Sequence, residues 1–255
     1  AQTVAVEYTK TAASKTEYLD VLKYNSADVV SNEGKTYVFK KNAEVKFETD
    51  QSGIRLLDAD GNVIEGRKDK NIVSVSSSIS VSGIQLWYKA DDELTAMWHD
   101  VAGISDEDPL VIIIDQTAPE ITLSPGVKDA GNYYTRDFDV DVFLKSEDIS
   151  GIDKIEYFVT DTEIDPDTSY DEVTDEKKTL AGEESTDLAS PDGYTISVKV
   201  NDDQNNSDYV CVWVRVTDKA GNQTVARTEN FLVDYLSVEI SLVGETEYFL
   251  ENRGC

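Results

Sequence analysis

Histidine and methionine each occur once in the 255 residues, and cysteine twice. With His99 alone there is no second imidazole for a zinc or copper site and none to spare for general acid-base work, so most hydrolytic and redox chemistries start without their usual groups. Cys211 lies in a valine-rich run and Cys255 is the last residue, which makes no disulfide framework. Positive charge is scarce too. Lys and Arg number 23 against 51 Asp and Glu, and the net charge of −28 opposes phosphate backbones and anionic membrane surfaces, so no nucleic acid is expected as a partner. Apolar runs of the roughly 20 residues that span a bilayer are missing, and the opening residues alternate polar with apolar instead of forming a signal core. The chain reads as a mature protein or an excised piece, with no direct membrane insertion. Hydrophobic residues still make up 40%, enough for substantial cores.

Helical periodicity is equally rare, and only residues 16–23 permit a helical turn. Period-two alternation fills the rest. Phe138, Val140, Val142 and Leu144 share one face, as do Ile155, Tyr157 and Val159, then Ile196, Val198 and Val200, then Val210, Val212, Val214 and Val216. Asp139, Asp141, Glu156, Ser197 and Lys199 alternate with them, the pattern of half-buried antiparallel strands. Turn chemistry at Pro125-Gly126, Ser150-Gly151, Pro191-Asp-Gly193 and Ala220-Gly-Asn222 separates these strands. Together they indicate an all-β chain built as two-sheet β-sandwiches.

An internal repeat sets the organisation. Gly34-Lys-Thr-Tyr37 matches Gly131-Asn-Tyr-Tyr134, Asp50-Gln-Ser-Gly-Ile54 matches Asp148-Ile-Ser-Gly-Ile152, and His99-Asp-Val-Ala-Gly103 matches Thr217-Asp-Lys-Ala-Gly221. These intervals make the second copy about 20 residues longer, and the acid-crowded stretch 161–187, without apolar periodicity, is the expected insertion and a long surface loop. The run Asp115-Gln-Thr-Ala-Pro-Glu-Ile-Thr-Leu-Ser124 reappears in weaker form from Asp234. The expected units are therefore 1–114 and 115–233, with 234–255 the first strand of a truncated third copy. On this reading the chain is a monomeric stretch of a longer tandem array.

The Asp115-Gln-Thr-Ala-Pro119 opener, the Asp148-Ile-Ser-Gly-Ile152 turn and the run from Tyr209 to Asn222 ending in Thr-Asp-Lys-Ala-Gly-Asn resemble the tandem bacterial immunoglobulin-like domains of Gram-positive cell-surface proteins. The resemblance covers 115–234 well and the first copy less, where Thr3-Val-Ala-Val-Glu-Tyr8 replaces the opener. It implies two tandem immunoglobulin-like β-sandwiches at the bacterial cell surface or wall. Such an extracellular region is a non-catalytic spacer or stalk that presents an adhesive or catalytic module. The competing expectation is an adhesin or carbohydrate-binding module that contacts a host glycan or extracellular-matrix protein. Some surface domains of this class also form a Lys–Asn isopeptide bond, for which Asn230 would be the acceptor, but residues 120–124 supply no Lys.

Calcium is the sharpest ligand expectation, with Asp100, Asp115, Asp218 and Asp234 as hard oxygen ligands at the unit junctions and ahead of the Ala-Gly turns. The same residues would serve equally as turn caps that accept local backbone N–H groups, and no other cofactor is expected. Asp58-Ala-Asp-Gly-Asn62 places its Gly fourth where a calcium loop needs it sixth, so it reads as a hairpin turn. Strand parity puts Tyr209, Trp213 and Arg215 opposite the valine face, together with Cys211, and Phe143 and Phe158 have the same outward parity. That face is a candidate for stacking on sugar rings, or alternatively for packing beneath the acidic loop, in which Tyr170 is the residue suited to anchoring a partner. Trp87, Tyr88 and Trp98 are expected in the core, because Trp98 aligns with Val216. His99 has no nucleophile motif nearby, so no catalytic residues are assigned and the chain is not expected to be an enzyme.

Overall fold

The alternating segments form strands in a computed structural model that describes residues 16–89, 97–128, 133–134, 137–144, 148–160, 163–181, 193–199 and 209–233. In chain order the first part contains helix α1 (Tyr18–Val21) and strands β1 (Leu22–Lys23), β2 (Val29–Glu33), β3 (Thr36–Phe39), β4 (Val45–Glu48), β5 (Gly53–Leu57), β6 (Val63–Arg67), β7 (Ile72–Val75), β8 (Ile79–Val81), β9 (Gly83–Tyr88), β10 (Met97–Asp100) and β11 (Leu110–Ile114). The second part contains β12 (Ile121–Pro125), β13 (Tyr133–Tyr134), β14 (Phe138–Leu144), β15 (Ile152–Thr160), β16 (Lys178–Ala181), β17 (Tyr194–Val198), β18 (Tyr209–Asp218), β19 (Gln223–Arg227) and β20 (Phe231–Val233). The chain is thus nearly all β, and its sheets pack as sandwich-like layers. Among the described residues the one α-helical turn, α1, falls where residues 16–23 permit it.

One strand order occurs twice. The sheet β1-β4-β7 corresponds to β12-β14-β17, and β10-β9-β5-β6 corresponds to β19-β18-β15-β16. Parallel pairing joins β11 to β3, and likewise β20 to β13. Each set of sheets closes on its own apolar cluster. The first contains Phe39, Phe47, Ile54, Leu56, Leu110 and Ile112, while the second contains Val140, Val142, Ile155, Val212, Val214 and Phe231. Alternation does the sorting: in β14, Phe138, Val140 and Val142 are buried while Asp139 and Phe143 are exposed. Asp58 accepts from the backbone N–H groups of Asp60 and Asn62, which closes the hairpin between β5 and β6.

Strand β18 departs from simple alternation, for it is covered on both sides. Its valines face the second core, whereas Cys211 and Trp213 form a separate cluster with their β15 neighbour Phe158 and with Tyr170 and Val173 of the insertion. The insertion is therefore more than a solvated loop. Residues 163–177 lie over the sheet, and β16 pairs with β15. Asn230 fastens this cover by accepting from the Ile164 N–H (3.2 Å) and donating to the Ile164 carbonyl (2.9 Å). Ile164, Tyr170 and Val173 are spaced irregularly among acids, so no periodicity announces them. Three apolar anchors nevertheless hold the cover down.

The parity of the first part also differs from the expectation of a tryptophan core. Ile84 and Leu86 point into the core, so Gln85 and Trp87 stand on the solvent side of β9. Trp98 pairs with Trp87 across the ladder and shares that side; both are half-buried. Tyr88 is the aromatic of the three that packs against the core.

Candidate metal centre

Asp115, just after β11, Asp148, ahead of β15, and Asp218, at the end of β18, come together. Asp115 follows β11, and its N–H donates to the Phe39 carbonyl (3.1 Å), extending the β3–β11 ladder by one rung. Asp148 opens the turn into β15, accepting through Oδ1 from Ser150 Oγ (2.8 Å), the Ser150 N–H (3.0 Å) and the Gly151 N–H (3.1 Å). Asp218 ends β18 and accepts from both the N–H and the Nδ2 of Asn222, at 2.7 and 2.8 Å. Gly221 takes φ +88° to close that turn, a conformation that a Cβ would strain. The Lys219 N–H donates to the Gly151 carbonyl (2.8 Å), so the Asp148 and Asp218 turns are tied to each other.

A carboxylate oxygen from each of the three Asp lies within 4.8 Å of the others. Asp115 is 2% exposed and Asp218 1%, and none of the three forms an ion pair with a described Lys or Arg. Asp115 Oδ1 accepts from the Thr117 N–H (3.1 Å), whereas its Oδ2 is buried without a hydrogen-bond partner. Burial is the main influence that pushes the Asp218 carboxyl up from its ordinary value; the Asn222 bonds oppose it, and the charges of Asp148 and Asp115 add to it. Three like charges at this spacing, two of them desolvated, require either a proton or a cation.

The donor set suits a hard divalent ion. Calcium bonds oxygen at 2.3–2.6 Å, so opposite ligands lie about 5 Å apart, and the observed spacing falls within that span. Asp115, Asp148 and Asp218 would be the protein ligands, and Asp115 Oδ2 is a buried carboxylate oxygen of this set without a hydrogen-bond partner.

Contacts from the first part reach the same place. The Lys41 N–H donates to the Ala220 carbonyl (3.2 Å) and Lys41 Nζ to the Gly221 carbonyl, while Asn222 Nδ2 also donates to the Asp115 carbonyl (3.1 Å). Of the four expected calcium ligands, the structure joins Asp115 and Asp218. Asp100 stands apart on β10, exposed and accepting from Gln85 Nε2 (2.7 Å), and Asp234 lies outside the described residues. Asp148 is the member of the cluster that sequence reasoning passed over. Its signal was the Asp-x-Ser-Gly turn already used to align the repeat.

The other candidate face is closed. Trp213 is 3% exposed and stacks on Phe158 at 5.7 Å beneath Tyr170. Arg215 bonds Glu156 through Nε (3.1 Å) and Nη2 (2.9 Å), reaches Asp171 (3.2 Å), and lies 4.5 Å over the Tyr170 ring. Burial disfavours the Glu156 carboxylate, but the bonds from Arg215 and Lys154 more than offset it and hold the group below its ordinary range. Tyr209 is half-buried at the start of β18, paired with Leu232. Tyr209, Trp213 and Arg215 thus do not form a solvent-facing platform in this arrangement, because the acidic segment occupies it. Cys211 is fully buried and its thiol is pushed up by burial, which leaves it unreactive.

No protein-family profile and no curated protein matches the chain. Among solved structures it is similar to a DUF3823 family protein from Bacteroides ovatus, at 12% identity and a TM-score of 0.27 over 73% of this chain and 89% of that one.

Proposed function

We propose that this chain is a non-catalytic extracellular spacer of a bacterial cell-surface protein. Two tandem immunoglobulin-like β-sandwiches, 1–114 and 115–233, would be fixed end to end by a calcium ion held by Asp115, Asp148 and Asp218. The observation that carries the reading is the junction itself. Asp115 bonds backward to Phe39 through its N–H and forward to Asn222 through its carbonyl, while its carboxylate clusters with those of Asp148 and Asp218 and keeps one buried oxygen without a hydrogen-bond partner. The twice-used strand order and the sequence resemblance support the tandem immunoglobulin-like assignment, and the resemblance supports the surface location. A joint held this way limits bending, as a stalk that presents another module requires.

Small-angle scattering with calcium and with chelator tests it. The expected result is a longer maximum dimension and a narrower spread of shapes with calcium, and no such change in Asp218→Asn. Identical scattering with and without the ion would remove the calcium-fixed joint, and a compact, side-by-side arrangement would remove the spacer reading.

A further inference from the structure

The solvent side of the β10-β9-β5-β6 sheet carries two adjacent rows of side chains. Trp98, Trp87 and Gly53 pair across the strands in one row, and Asp100, Gln85 and Arg55 in the next. The indoles meet edge to face at 5.3 Å. Arg55 Nε donates to Gln85 Oε1 (2.7 Å) and Gln85 Nε2 to Asp100 Oδ1 (2.7 Å), so the polar row is a single ordered chain of planar groups. Gly53 gives the site its shape: a Cβ there would lie 2.4 Å from Lys68 Cα, so only glycine lets the turn after β6 rise over the sheet and wall the Trp87 side. The outcome is a ledge with an aromatic floor, a polar row and one wall.

Two cations lie on that floor. The Arg55 guanidinium is 4.3 Å from the Trp98 ring, and Lys68 Nζ is 5.5 Å from the Trp87 ring. Neither forms an ion pair with a described residue, whereas the neighbouring Arg67 and Lys70 are paired with Asp69 and Glu65. In a chain of net charge −28, two cations without a described carboxylate partner on adjacent indoles make a local positive spot.

We propose that this ledge binds an acidic saccharide. The anionic group of the sugar would meet Arg55 and Lys68 above the indoles, the C–H face of its pyranose ring would lie on the indole surface beside the two cations, and its hydroxyls would exchange hydrogen bonds with Gln85 and Asp100. A short acidic sugar needs only this local charge. At physiological ionic strength the repulsion from carboxylates more than about 8 Å away is largely screened.

Calorimetry and tryptophan fluorescence with a galacturonate hexasaccharide, a heparin hexasaccharide and neutral cellohexaose, at 0.15 M salt, test the site. Saturable binding of at least one acidic probe is expected, with the carboxylated and sulfated arms showing which anion is preferred. Trp98→Ala and Arg55→Gln should each weaken it at least tenfold, while Trp213→Phe leaves it unchanged. Melting curves accompany each variant; should Trp98→Ala not fold, Arg55→Gln decides. No saturation by either acidic probe at millimolar concentration overturns the proposal, as does binding of the neutral probe alone or unchanged affinity in Arg55→Gln. Chelator should not alter this binding, so its failure is separable from that of the calcium-fixed joint.

Discussion

Asp218 shows how much rests on single side chains at the junction. It is 1% exposed, bonded twice by Asn222, and faces two other carboxylates. Its folded-state carboxyl is pushed above the ordinary value of 3.8. Raising a folded-state pKa means that the protonated form is the one favoured by folding. Without a cation, this group's contribution is therefore fully present below the unfolded value and is lost as pH rises through the folded one. Chelated protein should lose melting temperature from this residue as pH rises above about 4, and Asp218→Asn should flatten that slope. Saturating calcium should abolish the slope as well and, at 100 times its Kd, add about 2.7 kcal/mol in a thermal melt. Asp115→Asn should remove that gain, while Asp100→Asn, on β10 and away from the cluster, should keep it. Of these residues, Asp115 and Asp218 were legible in the sequence because each stands beside a recognisable landmark, the Thr-Ala-Pro opener or the Ala-Gly-Asn turn. Asp148 carries no such signal, because in the sequence it marks only the turn that aligns the repeat. Only three-dimensional proximity shows that it joins the cluster.

At the scale of elements, period-two alternation located the strands of the second part well, because each has one face in a core and one toward solvent. It failed where that premise fails. β18 is buried on both faces, so parity correctly placed Trp213 opposite the valines but could not reveal the second layer supplied by residues 163–177. In the first part, the repeat match set Trp98 against Val216 of β18, yet Trp98 stands on β10, the counterpart of β19, and alternation along β9 and β10 turns Trp87 and Trp98 outward. The cover yields a test. Tyr170→Ala should cost about 3 kcal/mol in chemical denaturation, since a ring that is 4% exposed and packed on Phe158 and Trp213 is lost, and Trp213 emission should shift to the red. The turn after β6 yields another. Gly53→Ala must displace the Lys68 backbone and should destabilise by about 2 kcal/mol or more, whereas Gly34→Ala, at φ +61° with nothing within 4 Å, should cost about 1 kcal/mol of backbone strain alone.

For the whole molecule, two separate cores imply two melting units. Differential scanning calorimetry in chelator should resolve two transitions. Calcium should raise the one belonging to residues 134–233, because Asp148 precedes β15 and Asp218 ends β18, both strands of that core, and Lys41→Ala should widen the gap by releasing the side-chain contact to the Gly221 carbonyl. The parallel pairing of β11 with β3 carries a further consequence for a chain stretched between its ends. Strands that run the same way, with the pull entering one and leaving the other, must slide past each other, so all rungs are loaded in shear at once instead of opening one by one. Four rungs join Thr36 through Phe39 to Val111 through Ile114, and Asp115 adds a fifth contact at the very point where tension leaves the strand, whereas the described rungs of β13 on β20 are two. Optical-tweezer extension should therefore unfold the second unit first, at the lower force, and leave the first as the mechanical clamp.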